Sequence, residues 1–274
     1  MSRRLIAFLS LIRLHNVAAA VLSVFVGFSM TRSTDYPWLL LAAVTLSTAS
    51  GNVINDIFDR DIDSINKPSR PIPSGALSLS AAVTIYVLLT VGAAVLSLGL
   101  DKVEKYWILA WIVLLFFYSF KFKRMVILGN VTVASVSASG FLLGSYHGGC
   151  LKTGIIPALF TFFFVLGREI VKDSDDIVGD SRCRARTFPI AIGVEPALKV
   201  SAVIFILLAT AFPLPYFLDV YSKWYGLVMF VSVVPILVAS FVFSLQHRRL
   251  STVSSLLKCG MFFGVLAFYL AWKG

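Results

Sequence analysis

Charge is what this sequence has least of. Only 14% of its 274 residues are Asp, Glu, Lys or Arg, where a soluble domain carries roughly a quarter. Hydrophobic residues make up 58% and the mean hydropathy is +0.88, which excludes an ordinary soluble globular protein. The three cysteines, Cys150, Cys183 and Cys259, stand far apart with no CxxC pair, which excludes a disulfide framework and a zinc site. His15, His147 and His247 are isolated and carry no assigned role. Low-complexity linkers and sustained strand-like alternation are missing as well, so nothing marks off a separate soluble domain.

What is present is a succession of apolar runs. Crossing the hydrocarbon core takes about 20 apolar residues per helix. Nine stretches qualify, near 15–31, 37–58, 79–100, 105–120, 127–147, 155–171, 197–217, 224–245 and 253–272. Lipid offers no partner to open backbone groups, so the expectation is an all-α membrane protein, read as one intramembrane domain over 1–274. The start, MSRRLIAFLSLIRLHN, has the basic opening of a signal peptide. Arg13 and His15 interrupt the run before a full span follows, so a retained segment is expected.

The net charge of +10 raises nucleic acid as a partner, and its distribution argues against one. With the N-terminus placed in the cytoplasm, 18 of the 24 Lys and Arg fall on the inner side and 6 on the outer. That bias predicts an N-in, C-out multi-pass protein of the cell membrane. The basic excess is topology first, and attraction to lipid headgroups or phosphates second.

Fourteen acids are present, and nine of them sit in two short windows. The first runs from Asn52 to Asp63 at the inner end of the second apolar stretch. The second runs from Arg168 to Asp180 at the inner end of the sixth. Acids at a membrane boundary are functional suspects. On a helix with Asn55 at 0°, Asp59, Asp63 and Asp56 fall at roughly 40°, 80° and 100°, and Asp61 at roughly 240°. Oxygen donors therefore stack along one stripe while Asp61 faces water. In the second window Arg168, Lys172, Asp176 and Asp180 recur every four residues, with Asp173 on the same broad face. Asp175 lies off that face, and Gly179 is expected to unwind the last turn. Clustered carboxylates need cations, and hard oxygen ligands suit Mg2+, which bridges carboxylates to phosphates. Two such clusters facing each other would hold a diphosphate between them.

A diphosphate also needs basic groups. The loop after the first window, Asn66 to Gly75, is stiffened by three prolines and places Lys67 and Arg70 near the acids. Tyr118 and Lys121, three apart, share a helical face beyond the fourth apolar stretch. Lys123, Arg124, Arg248 and Arg249 read instead as inner-face anchors.

The series Asn55-Asp56-x-x-Asp59-x-x-x-Asp63, followed by Lys67-Pro68-x-Arg70-Pro71-Ile72-Pro73-Ser74-Gly75, resembles the first signature of the UbiA-type intramembrane prenyltransferases. Asp176-x-x-x-Asp180, followed by Thr187-Phe188-Pro189-Ile190, resembles their second. The resemblance implies nine helices around a central cavity under a cytoplasmic cap, with a lateral opening for lipid-like substrates. It implies Mg2+ held by Asn55, Asp59, Asp63, Asp176 and Asp180, with Asp56 and Asp173 beside them. Asp59, Asp63, Asp176 and Asp180 are the catalytic candidates. Arg13 and Asn16 match an arginine and asparagine near the diphosphate, and Tyr118 and Lys121 match less closely. Arg168 and Lys172 complete the substrate-binding candidates. The run from Gly167 to Asp180 is similar to the archaeal branch, which adds a second C20 chain to a glycerol sn-2 hydroxyl. Phe188 replaces a commoner leucine.

The expected reaction is transfer of a geranylgeranyl chain from its diphosphate to geranylgeranylglyceryl phosphate, forming an ether. Mg2+ and basic groups would stabilise the leaving diphosphate, and no residue stands out as a general base. The rivals are an aromatic prenyltransferase of quinone synthesis, a haem- or chlorophyll-modifying relative and a divalent-cation transporter. A transporter would place carboxylates near mid-membrane on broken helices, whereas these gather at one face. Oligomeric state is not legible.

Overall fold

The computed structural model describes residues 3–183, 185–247 and 249–271, and the side chains of all of these except Arg3 and Arg4. Every regular element among them is helical. Eight helices are long and apolar enough to cross a membrane, and a ninth span results if one bent pair is counted together. That pair is α1 (Arg3–Leu11) and α2 (Leu14–Ser29), which meet at 51°. The sequence reading starts its first span at residue 15 and leaves α1 outside it.

The next span is α3 (Trp38–Phe58), followed directly by the short α4 (Arg60–Asn66). Then come α5 (Leu79–Ser97), α6 (Lys102–Phe120), α7 (Leu128–His147) and α8 (Ile155–Asp175). Short helices α9 (Ile177–Arg182) and α10 (Phe188–Ile192) lead into α11 (Val194–Ala211) and α12 (Leu214–Phe217). The bundle ends with α13 (Lys223–Val228), a π-helical turn at Met229–Val233, α14 (Val234–Leu245) and α15 (Leu250–Tyr269).

Burial shows which spans meet lipid. In α5 only 11% of the apolar window is buried, against 56% in α3 and α7. Leu88, Val91 and Val95 of α5 project outward, so α5 lies outside α3 and α6 and packs on both. The inner helices form a closed circuit in which α15 returns to pack on α2. Small residues allow the tightest crossing, as in membrane helix pairs generally. A Cβ at Gly144 of α7 would lie 1.8 Å from the Val24 carbonyl oxygen, and one at Gly27 of α2 would lie 2.2 Å from that of Phe141. The Ser145 hydroxyl donates to the Gly27 carbonyl at 2.9 Å across the same seam.

The two ends of the bundle differ. At one end the Glu104 carboxylate meets His147 Nδ1 at 2.6 Å, and His147 Nε2 lies 3.1 Å from the Asp35 carbonyl oxygen. His147 therefore ties α6 and α7 to the loop before α3, a structural part the sequence reading leaves blank. At the other end α4, α9 and α10 gather around both acid windows.

Candidate active site

Each window sits at a break between a long helix and a short one. Asp59 is the hinge residue between α3 and α4, and Asp176 the one between α8 and α9. The helical spacing survives both breaks: Asp59 N–H donates to the Asn55 carbonyl and Asp63 N–H to that of Asp59, as Asp176 N–H does to Lys172 and Asp180 N–H to Asp176. Asp61 points away as expected, with 81% of its side chain exposed and Arg60 as its ion-pair partner.

Gly179 does not unwind the second window. The chain breaks three residues earlier, and α9 runs through Gly179 to Arg182. Glycine is required there for a different reason. The Asn66 amide packs so closely that a Cβ would lie 2.4 Å from its Nδ2. Asn66 donates to the Asp176 carbonyl at 3.0 Å and accepts from Gly179 N–H at 3.1 Å, which joins the end of α4 to the second window.

The inner face of the first window is neutralised by the chain's own cations. Asp56 pairs with Arg13 and accepts from Arg70 at 3.3 Å. Arg70 also pairs with Asp63, and Lys123 pairs with Asp59. Asn55 Nδ2 donates to Asp59 Oδ2 at 2.7 Å. Arg13 occupies the break between α1 and α2 in the left-handed conformation, φ 50° and ψ 66°, which costs a non-glycine residue about 1–3 kcal/mol. Its ion pair with Asp56 offsets that strain. Asn16 donates to Asn52, whose own amide donates to the Ile12 carbonyl at 2.8 Å, so the broken helix is pinned to α3 beside the acids.

The second window is less evenly matched. Asp176 pairs with Lys67 at 2.6 Å. Glu169 takes both neighbouring cations, Arg168 at 2.7 Å and Lys172 at 2.6 Å. Among the described residues Asp173 receives only the neutral Asn130 amide, at 2.8 Å. Asp180 is buried and has no ion pair or side-chain hydrogen bond among the described residues. Burial pushes its pKa up to about 6, against the pull of Lys123. Burial also raises Asp63 in spite of Arg70. Burial alone would raise Asp59 too, but Lys123, Arg13 and Arg70 together outweigh it and hold that carboxyl below its ordinary range.

A cavity of about 540 Å³ connects these parts. Of the sequence-predicted residues, Arg13, Asn16, Asn55, Asp56, Lys67 and Arg70 line it from one side. Tyr118, Arg168, Lys172 and Asp176 line it from the other, with Asp175 alongside. Asp59, Asp63, Asp173 and Asp180 stand behind this wall. Lys121 is exposed and not among the lining residues. α6 ends at Phe120, and the 3-10 turn Phe122–Arg124 redirects the chain, carrying Lys123 inward instead. Lys123, read from sequence as an anchor, pairs with Asp59 and acts electrostatically on Asp63 and Asp180. It thereby acts on rear carboxylates of both windows. Away from the charges the cavity turns apolar, walled by Trp111, Phe160, Phe164, Phe212 and Phe268.

No three His, Cys, Asp or Glu among the described residues converge as a metal cluster. The donors form two half-sites, each tied to protein cations. Their chemistry still suits a hard ion, and Asp59 Oδ1 is buried with no hydrogen-bond partner.

Comparison with known proteins bears on the family and the fold. The profile of the UbiA prenyltransferase family matches residues 17–268. The digeranylgeranylglyceryl phosphate synthase of Metallosphaera sedula is 40% identical over 271 residues, covering 96% of this chain and 94% of its own. A solved structure from work on digeranylgeranylglyceryl phosphate synthase in membranes superimposes with a TM-score of 0.74 at 30% identity, covering 98% of this chain and 99% of that one. A UbiA homolog from Archaeoglobus fulgidus, solved with DMAPP and Mg2+, shares the fold with a TM-score of 0.68 at 16% identity, covering 95% of this chain and 98% of that one.

Proposed function

The chain belongs to the UbiA prenyltransferase family, and we propose that it moves a geranylgeranyl chain from geranylgeranyl diphosphate to the sn-2 hydroxyl of geranylgeranylglyceryl phosphate. It is a multi-pass membrane enzyme of archaeal lipid synthesis, and its donor is a prenyl diphosphate. The observation that carries the reading is a cavity that is charged where the two windows meet and apolar and aromatic beyond.

Arg13, Lys67, Arg70 and Lys172 line the charged end and would receive the diphosphate. Asn55, Asp59 and Asp63 on one side, and Asp173, Asp176 and Asp180 on the other, would hold Mg2+, with Asp56 beside the first group. When bound, Mg2+ supplies positive charge to the leaving diphosphate. The allylic carbon–oxygen bond breaks, the electron pair leaves with the diphosphate, and the glycerol oxygen bonds to the same carbon. The hydroxyl proton goes to the released diphosphate or to a window carboxylate. Tyr118, Trp111, Phe160 and Phe164 keep water from the allylic cation and face it with aromatic surface. The membrane setting follows from the substrates, since each CH₂ removed from water is worth about 0.8 kcal/mol.

The charge asymmetry supports a cytoplasmic N-terminus and a cytoplasmic site. Cys183, beside α9, should then react with a membrane-impermeant thiol reagent in inverted vesicles. Labelling it in sealed right-side-out vesicles would overturn the orientation. The test of the reaction is an acceptor panel with radiolabelled geranylgeranyl diphosphate. Geranylgeranylglyceryl phosphate should be prenylated and 4-hydroxybenzoate should not. Turnover of the aromatic acid alone would move the enzyme to quinone synthesis.

A further inference from the structure

The cations beside the two windows are committed to carboxylates: Arg13, Lys67, Arg70, Lys123 and Lys172 all stand in ion pairs. One flank of the cavity is built differently. Lys258, on α15, makes no ion pair or hydrogen bond among the described residues. The charges that act on it most strongly, Arg168, Lys172, Lys67 and Arg13, are positive. His15 lines the same cavity, and the charges acting on it are Lys258, Arg13 and Arg168. Arg168 gives Nη1 to Glu169 and keeps a buried Nε with no acceptor. Lys258 and His15 thus lack a carboxylate partner among the described residues, and cations so placed repel their neighbours unless an anion joins them.

α15 indicates what shape that anion has. Ser251, Ser254, Ser255 and Lys258 face the cavity at i, i+3, i+4 and i+7, the spacing of one helical face. The same face continues as Met261, Val265 and Phe268. Hydroxyls and an ammonium at one end give way to an apolar track at the other. This pattern fits an amphiphile with an anionic head and a hydrocarbon chain in line with it.

We propose that Lys258, Arg168 Nε and the Ser254 hydroxyl form a seat for the acceptor's phosphate, with the acceptor's chain lying along α15 toward Phe268. The seat is distinct from the place of the donor diphosphate between the windows. It rests on the acceptor named above, a phosphorylated glycerol ether. His15 borders the seat and adds a donor to it. The enzyme thereby has two anion sites in one cavity, one built on cations paired with the window carboxylates and one on Lys258, which has no ion pair among the described residues, with Arg168 beside it.

Binding tests the seat, and turnover tests the reaction. Full-length protein in nanodiscs, without donor, should bind geranylgeranylglyceryl phosphate at least about tenfold more tightly than its dephosphorylated alcohol, a difference of about 1.4 kcal/mol. Lys258→Met should erase that preference by weakening the phosphorylated ligand alone, and Lys258→Arg should keep most of it. In the turnover assay Lys258→Met should raise the acceptor KM about tenfold while leaving the donor KM unchanged. Equal weakening of both ligands, an unchanged preference, or a rise in donor KM instead would each overturn the seat. If Lys258→Met does not fold, Ser254→Ala decides the matter. It should weaken the phosphorylated ligand a few fold and leave the alcohol untouched, and no selective change would sink the proposal. If wild-type protein binds the phosphate ligand selectively but does not prenylate it, the reaction assignment fails while the seat stands.

Discussion

The two acid windows share a spacing and a position at the end of a long helix, yet the chain treats them differently. In the first, Asp56, Asp59 and Asp63 face Arg13, Lys123 and Arg70, three charges against three. In the second, Glu169 takes two cations, Asp176 takes Lys67, and Asp173 and Asp180 have no ion pair among the described residues. The first window can therefore stand metal-free as a closed ion-pair network. The second is left short of positive charge, and Mg2+ changes its energy more. Equal motifs need not be equal sites, because what surrounds a carboxylate decides whether it waits for a metal.

The largest effect should come from deleting one carboxylate in either window. Asp59→Ala and Asp176→Ala should each lower turnover on the order of a thousandfold, the scale of removing a group that stabilises developing charge. Chelating Mg2+ should match them. Thermal melting in detergent should show both variants still folded, and a variant retaining near-normal turnover would remove its window from the mechanism.

Lys123→Met comes next and separates the windows by stability. Losing one partner of a buried pair costs about 3–5 kcal/mol, and the 22% exposure of the Lys123 side chain places the expectation at the low end. Without Mg2+ the melting temperature should fall, and added Mg2+ should restore part of it by replacing the missing charge. An unchanged melting temperature would mean that Asp59 does not depend on Lys123.

Asp180 gives the pH dependence. Folding raises its pKa to about 6, above the unfolded carboxylate value. Its contribution to metal-free stability is therefore complete below the unfolded pKa and is lost as pH rises through about 6. Mg2+ needs the ionised form, so proton and metal compete. The Mg2+ concentration for half-maximal turnover should climb up to about tenfold per unit as pH falls below 6. A flat Mg2+ requirement between pH 5 and pH 7 would exclude Asp180 as a ligand.

Asp61→Ala is the smallest. An exposed residue off the inner stripe should shift stability by less than about 0.5 kcal/mol and leave turnover nearly unchanged. Damage equal to that of Asp59→Ala would break the facing argument for the whole first window.

Much of this was readable before any coordinates. Hydropathy located the spans, and helical spacing separated Asp59 from Asp61. What escaped were the residues that reach the site across a break. Lys123 arrives through a 3-10 turn after α6, so counting from Tyr118 picks Lys121 instead. Asn130 holds Asp173, and Asn66 bridges α4 to α9, yet each is a single polar residue whose partner is remote in the chain. The signal for Asn130 was the one amide side chain in a 20-residue membrane-spanning helix, a costly placement that calls for a partner. Arg13 was found through its family match and not through geometry, because nothing local announces a left-handed arginine. Lys258 and His15 read as an inner-face charge and an isolated ring until the closure of α15 on α2 brought them into the cavity.

The seam between Gly27 and Ser145 also sets an order of assembly. Those residues are 118 positions apart, and a ribosome adding about 5–20 residues per second needs on the order of ten seconds to make that length. The first span thus leaves the translocon well before its tightest-packed neighbour has been synthesised. During that interval the Val24 and Gly27 carbonyls and the notch at Gly27 face lipid or passing helices, and the span keeps its place by its own apolar surface. The arrival of α7 then fixes the depth and rotation of α2 in one event, and with them the position of Arg13.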